Sequence, residues 1–300
     1  MPDARVGSVT LHYESLGRDD HPAIVLVMGL GMQMIVWPDE LCRALVGNGF
    51  RVIRFDNRDV GLSTHLDALG APFMPVHYLK YFLRFGVDAP YTIDDMADDT
   101  AGLIDTLALK RAHIVGASMG AMIGQTLAAR HPEKIATLVS MMSTTGKRSL
   151  PSPRWAALTA LMQPQAAKGD TEGAVQRMMR ILRAIESRTY PADETRLREL
   201  CEQHVRRAHY PQGGARQLLA IAAAGDRSDT IRRIRAPTHV MHGDQDPLIH
   251  PEAGYDTART IIEGGGDASL SIVDGMGHDL PAPLLPRIVD EIVGHVRRVG

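Results

Sequence analysis

Cysteine is almost missing from this chain of 300 residues: Cys42 and Cys201 are the only two, far apart and outside any C-x-x-C. That argues against a disulfide framework and a zinc ribbon, and it sets a reducing compartment, the cytoplasm, as the expected location. An excess of one charge is missing too. With 33 basic and 35 acidic residues the net charge is −2, which supplies no field for nucleic acid or an acidic membrane. Arginines do gather between Arg177 and Arg216, but acids are interleaved and aromatics few, so a solvated helical face is expected there. Long hydrophobic runs are also lacking. The most apolar stretch, Ala23 to Trp37, has fifteen residues and carries Gly29, Gly31 and Gln33. It is too short to span a bilayer and reads as a buried strand with the loop after it. Residues Met1 to Thr10 show no basic start followed by an apolar core, so no secretory signal is expected. Internal repeats and low-complexity tracts are absent.

What is present is ordinary for a soluble enzyme: 44% apolar and 23% charged residues, enough for one large core with an inserted subdomain. The informative stretch is Gly116-Ala117-Ser118-Met119-Gly120. Arg111 to Val115 before it reads as a buried strand, and Ala121 to Arg130 after it reads as a helix stopping before His131-Pro132. Strand, tight turn and helix with G-x-S-x-G at the turn form the context of a nucleophile elbow. Ser118 then sits at a helix N-terminus, where backbone N–H groups favour negative charge.

Around this centre the chain alternates. Strands are expected at Val9 to Glu14, Ile24 to Val27, Val52 to Phe55, Ile135 to Met142, Pro237 to Gly243 and Leu270 to Val273. Helices are expected at Trp37 to Leu45, from Thr92 or Asp94 to Leu107, at Ala253 to Ile262 and at Leu284 to Val299. Such alternation predicts an α/β fold, a mostly parallel doubly wound sheet. Between residues 146 and 225 the rhythm breaks into helical patterns alone: Trp155 to Met162, Glu172 to Ile185, Ala192 to Arg207 and Ala215 to Ala224. This reads as an inserted helical cap on a core of residues 1–145 and 226–300. Met162, Met178 and Met179 belong either to an adaptable pocket under it or to helix packing.

Two polar stretches compete for functional roles. The loop Asp56 to Ser63 reads as hydrogen-bonded scaffolding. The acids Asp94, Asp95, Asp98 and Asp99 read as a helix start favoured by the dipole, with a metal site as the weaker alternative.

Serine is a poor nucleophile at neutral pH until a base takes its proton, and imidazole suits that task. His278 is assigned as the base. His131, His242 and His250 compete, but only His278 lies in a Gly-x-Gly-His loop after the last strand. A carboxylate must hold the ring, and Asp244 and Asp246 share the loop after the preceding strand. The N–H groups of Met119 and Leu30, the latter in the loop Met28-Gly29-Leu30-Gly31, are placed to hold an oxyanion. A metal cluster of His239, His242, Asp244, Asp246 and His250 is disfavoured because His239 and His242 point to opposite faces of a strand.

The order Ser…Asp…His, together with Val27-Met28-Gly29, Trp37-Pro38-Asp39-Glu40, Arg58-Asp59 with Gly61 and Ser63, Ser118-Met119-Gly120, Gly243-Asp244-Gln245-Asp246-Pro247 and Gly275-Met276-Gly277-His278 with Pro281, resembles the α/β-hydrolase superfamily over nearly the whole chain. More narrowly it resembles the aclacinomycin methylesterase-like esterases. The resemblance implies the α/β-hydrolase fold, a triad of Ser118, Asp246 and His278, and an oxyanion hole at Leu30 and Met119. It also selects Asp246 over Asp244. Met28 departs from the broader superfamily, in which a histidine that orders the oxyanion loop is usual at that position.

The expected function is a cofactor-independent, metal-free serine carboxylesterase acting on small to medium esters. Its expected partner is a small-molecule ester, with neither nucleic acid nor membrane insertion, in a monomer or homodimer. The alternatives are a cofactor-free perhydrolase with the same triad, or a small-molecule receptor on the same fold with little turnover. Nucleophilic-aspartate chemistry is disfavoured because position 118 is serine.

Overall fold

The computed structural model describes residues 2–82, 85–167 and 169–298. Eight strands form one sheet: β1 (Asp3–Val6), β2 (Val9–Leu16), β3 (Ala23–Val27), β4 (Arg51–Phe55), β5 (Ala112–Ala117), β6 (Ile135–Met141), β7 (Thr238–Gly243) and β8 (Ala268–Val273). Their spatial order is β1-β2-β4-β3-β5-β6-β7-β8. The first two are antiparallel to their neighbours and all later pairs are parallel. The parallel strands read as unbroken apolar runs because helices cover both of their faces. Val25, Val27, Ile114 and Leu138 point to one apolar core, and Ile24, Leu26, Val115 and Val139 to the other.

The helices follow the expected alternation. They are α1 (Asp39–Gly47), α2 (Met74–Phe82), α3 (Ile93–Thr106), α4 (Met119–Arg130), then α5 (Trp155–Leu161), α6 (Thr171–Ile185), α7 (Glu194–Arg207) and α8 (Pro211–Ala224), and finally α9 (Ser228–Ile231), α10 (Glu252–Glu263) and α11 (Leu285–Arg297). Helices α3, α4 and α10 pack on one face of the sheet, α1 and α11 on the other. Among the described residues no helix is long and apolar enough to cross a membrane. Val299, the expected end of the last helix, lies outside the described residues.

Several boundaries differ from expectation for physical reasons. Helix α1 starts at Asp39 because Pro38 is still extended, with ψ at 131°. Strand β1 was not foreseen; it pairs with β2 through a turn at Gly7, whose φ is +55°. Helix α2 was not foreseen either. Helix α8 begins at Pro211, four residues before the expected Ala215. Proline is pre-set for a first helical turn. Gly213 and Gly214 do not break the helix there but bring it close to the core. A Cβ at Gly213 would stand 1.8 Å from the Asp59 carbonyl oxygen.

The four acids of α3 divide. Thr92 forms a capping box with Asp95, and Asp94 and Asp98 pair with Arg130. Asp99 is buried against the guanidinium of Arg58. The expectation of a solvated face for the arginines from Arg177 to Arg216 is corrected in part. Arg198 and Arg206 are solvated and pair with surface glutamates, but Arg207 and Arg216 turn inward to Asp56 and Asp59. The methionines split likewise: Met178 and Met179 pack between α6 and α7, while Met162 faces the cavity described below.

Candidate active site

Strand β5 runs straight into α4, and Ser118 is the hinge between them. Its φ is +57° with ψ −119°, a conformation that a side-chain-bearing residue adopts only under strain of about 1–3 kcal/mol. The turn is held from all sides. Ser118 N–H donates to the Met141 carbonyl at 2.9 Å, and the Ser118 carbonyl accepts from the Ala121 N–H and the Ser143 hydroxyl. It is also possible only with glycine at its flanks. A Cβ at Gly120 would lie 2.0 Å from the Val27 carbonyl oxygen, and one at Gly116 would lie 2.4 Å from that of Gly120. The hydroxyl is thereby left half-exposed at the sheet's carboxyl edge.

Three side chains distant in sequence meet here. His278 Nε2 is 2.9 Å from Ser118 Oγ, and His278 Nδ1 is 2.7 Å from Asp246 Oδ2. Asp246 is 1% exposed and His278 8%. Burial works to raise the Asp246 carboxyl, but His278 and His242 outweigh it and hold it well below the usual carboxylate range. Its other oxygen accepts the N–H groups of Leu248 and Ile249, both at 2.8 Å. An ionised Asp246 requires the proton on His278 Nδ1, which leaves the Nε2 lone pair facing the serine hydroxyl.

Asp244, the other acid of that loop, does not reach the histidine. It accepts the Gly275 N–H and ties the two loops together. The rival histidines lie elsewhere. His131 pairs with Asp98, and His250 is at the surface beside Glu252. His242 lies against the same Asp246 oxygen at 3.4 Å and donates from Nε2 to the Ile249 carbonyl. Sequence reasoning missed this contact, although the four-residue spacing within one strand-to-loop turn was its signal. His239 points to the opposite face and bonds Glu291 and Ser269, and among the described residues the disfavoured metal set is not brought together.

The loop after β3 crosses directly above the serine. A Cβ at Gly29 would sit 3.2 Å from Ser118 Cβ and 3.7 Å from its Oγ. Loop Asp56 to Ser63 buttresses it, as expected for scaffolding. Asn57 donates to the Met28 carbonyl and Asp56 accepts the Met34 N–H, at 2.9 and 2.8 Å. Met119 is the first residue of α4, so its N–H is among those a helix start leaves free. Over the serine opens a cavity of about 2100 Å³, larger than most ligand sites. Met28, Leu30, Leu158, Met162, Ile181 and Leu182 are among the residues that line it.

Comparison with known proteins now bears on this geometry. The model of the alpha/beta hydrolase fold family matches residues 22–280. The chain belongs to that family. This alpha/beta hydrolase is 28% identical over 311 residues to rhodomycin D methylesterase DnrP of Streptomyces peucetius, covering 96% of this chain and 95% of the relative. It is 25% identical over 263 residues to 3-oxoadipate enol-lactonase 2 of Acinetobacter baylyi, covering 85% of this chain and 82% of that one. Among solved structures it resembles the enol-lactonase from Burkholderia xenovorans, with a TM-score of 0.72 at 25% identity, over 99% of this chain and 100% of that one. The resemblance to methylesterases read from the sequence motifs therefore holds, and the chain is a hydrolase of this fold.

Beside the histidine, Asp279 faces the cavity and accepts the N–H groups of Ser187 and Gly277. Burial, helped by nearby Glu186, raises its carboxyl to about 6 against those two bonds. The folded chain therefore holds this proton more tightly than the unfolded one. The stabilisation is complete below about pH 4 and is lost as pH rises through about 6. Asp279→Asn keeps the acceptor oxygen and removes the charge. Its melting temperature, relative to the parent, is expected to be higher at pH 7.5 than at pH 4.5. An equal difference at both pH values, read by scanning calorimetry, contradicts this.

Proposed function

We propose that this alpha/beta hydrolase is a serine carboxylesterase that needs no cofactor. The observation that carries the reading is the unbroken hydrogen-bonded chain from Asp246 through His278 to Ser118, set under an apolar cavity. Ser118 Oγ attacks the ester carbonyl carbon while its proton passes to His278 Nε2. The carbonyl oxygen becomes an oxyanion held by the N–H groups of Leu30 and Met119, one such donor being worth about 2.7–4 kcal/mol. Collapse breaks the bond to the alcohol, which leaves with the proton from His278. A water then gives its proton to the same nitrogen and attacks the acyl-enzyme, releasing the carboxylic acid and free Ser118.

Residues 146–225 act in this reading as a cap over a core of residues 1–145 and 226–300. A methylesterase and an enol-lactonase both cleave an acyl–oxygen bond, which supports a small-molecule ester as substrate. The size of the cavity supports a range of small to medium acyl and alcohol groups. Incubation with p-nitrophenyl acetate, butyrate and octanoate is expected to show steady turnover. A fluorophosphonate is expected to stop it at one equivalent, on the peptide that carries Ser118. Labelling of a different serine, or release of one equivalent of nitrophenol followed by a halt, contradicts the proposal.

A further inference from the structure

The loop that crosses Ser118 is not held by the sheet alone. Met32 N–H donates to the Gly29 carbonyl, closing a four-residue turn with Leu30 and Gly31 at its centre. The next N–H groups are each assigned an acceptor. That of Gly31 goes to Gln217 Oε1 at 2.8 Å, that of Gln33 to His204 Nε2 at 3.2 Å, and that of Met34 to Asp56 Oδ1. Leu30 N–H donates to no acceptor among the described residues. Gln217 lies on α8 and His204 on α7, both outside the sheet.

Resting on the esterase reading, we infer that Gln217 is a positioning residue for the oxyanion. Its hold on Gly31 sets the turn that presents the Leu30 N–H, so helix α8 builds part of the active site. The central peptide of such a turn can flip, and Gly31, at φ +67°, tolerates either state. An acceptor on the Gly31 N–H selects one of them. Gln217 is suited to that work because it cannot rotate freely. It is fully buried, and its amide Nε2 donates to the Arg58 carbonyl at 2.8 Å, so turning the amide over breaks both bonds.

The helix beneath it is equally fixed. Arg216 is paired with Asp59, Gly213 abuts the Asp59 carbonyl, and a Cβ on Gly31 would lie 3.9 Å from Gly214 Cα. A second tether reinforces the first. The buried Gln33 side chain donates to the carbonyls of His204 and Ala208 and accepts from Arg207. Met28, at the start of the loop, brings no polar side chain, so these helices, together with Asp56 and Asn57, supply the polar partners that order it.

The test compares Gln217→Leu and Gln217→Glu in the full chain, assayed with p-nitrophenyl butyrate. Gln217→Leu removes the acceptor and is expected to lower kcat about 10–100-fold while KM stays within about threefold. Affinity for a trifluoromethyl ketone, whose adduct on serine carries an oxyanion, is expected to fall by the same factor. Gln217→Glu keeps an oxygen for Gly31 and, only when protonated, a donor for the Arg58 carbonyl. At the acid end of the assay range its kcat relative to the parent is therefore expected to fall less than that of Gln217→Leu. Gln217→Met, unbranched and equally long, replaces the leucine variant if that fails to fold. An unchanged kcat in the leucine or methionine variant overturns the inference, as does an equal loss in Gln217→Glu at that acid end. Both outcomes leave the esterase reading intact. That reading fails separately, if the parent protein neither hydrolyses the ester nor takes up fluorophosphonate on Ser118.

Discussion

Ser118→Ala is expected to lower ester turnover by a factor on the order of 10⁶, with binding of substrate little changed. The size follows from role. In the proposed mechanism, without the hydroxyl there is no acyl-enzyme, and the free base and oxyanion donors recover only the small part of catalysis that needs no nucleophile. Among the described residues the side chain makes one polar contact, the 2.9 Å bond to His278, so its loss barely disturbs the fold. Most of the strain lies in the backbone at φ +57°, and alanine inherits it. Glycine does not. Ser118→Gly is therefore expected to be as inactive as Ser118→Ala but more stable, by about 1–3 kcal/mol if the strain is relieved in full. Initial rates with a p-nitrophenyl ester and calorimetric melting separate the two effects. An alanine variant that keeps a tenth of the parent rate removes Ser118 from the mechanism. A glycine variant no more stable than alanine removes the strain argument.

The second large effect concerns stability. Asp59 and Arg216 are 0% and 1% exposed in their side chains and meet through two parallel bonds at 2.8 and 2.9 Å. Their other groups are also satisfied: Asp59 accepts the Leu66 N–H, and Arg216 donates to the Tyr210 hydroxyl and the Gly70 carbonyl. Such a pair adds little over an apolar substitute, but breaking it leaves one charge buried without a partner. Arg216→Met is expected to cost about 3–5 kcal/mol. For a chain of this size that is a drop in melting temperature of roughly 10 °C. The double variant Arg216→Met, Asp59→Asn is expected to recover a substantial part, and the double-mutant cycle gives the coupling. A single-variant cost below about 1 kcal/mol would mean that water reaches the pair, which contradicts the burial.

This pair also marks the limit of reading by pattern. Charge on an amphipathic helix ordinarily marks the solvated side, and Arg198 and Arg206 obey that rule. Arg207 and Arg216 lie on the same run of sequence, but their acids are 151 and 157 residues away. The choice between Asp244 and Asp246 was of the same kind. Two acids in one irregular loop have no period to separate them; the family resemblance selected Asp246, and the place of His278 shows why that one meets the ring.

What sequence alone determined was local or repetitive. Apolar runs marked the parallel strands, because burial on both faces requires them. G-x-S-x-G marked the elbow, because no Cβ fits at Gly116 or Gly120. The order of the serine, acid and histidine stretches marked the family, since each follows its own strand. Tertiary structure alone decided what depends on contacts between segments far apart in the chain. The hold of Gln217 on Gly31 spans 186 residues, and a single glutamine on a helix carries no sign of it. Short-range pattern records which side of an element is buried; only the packed chain shows what each buried polar group meets.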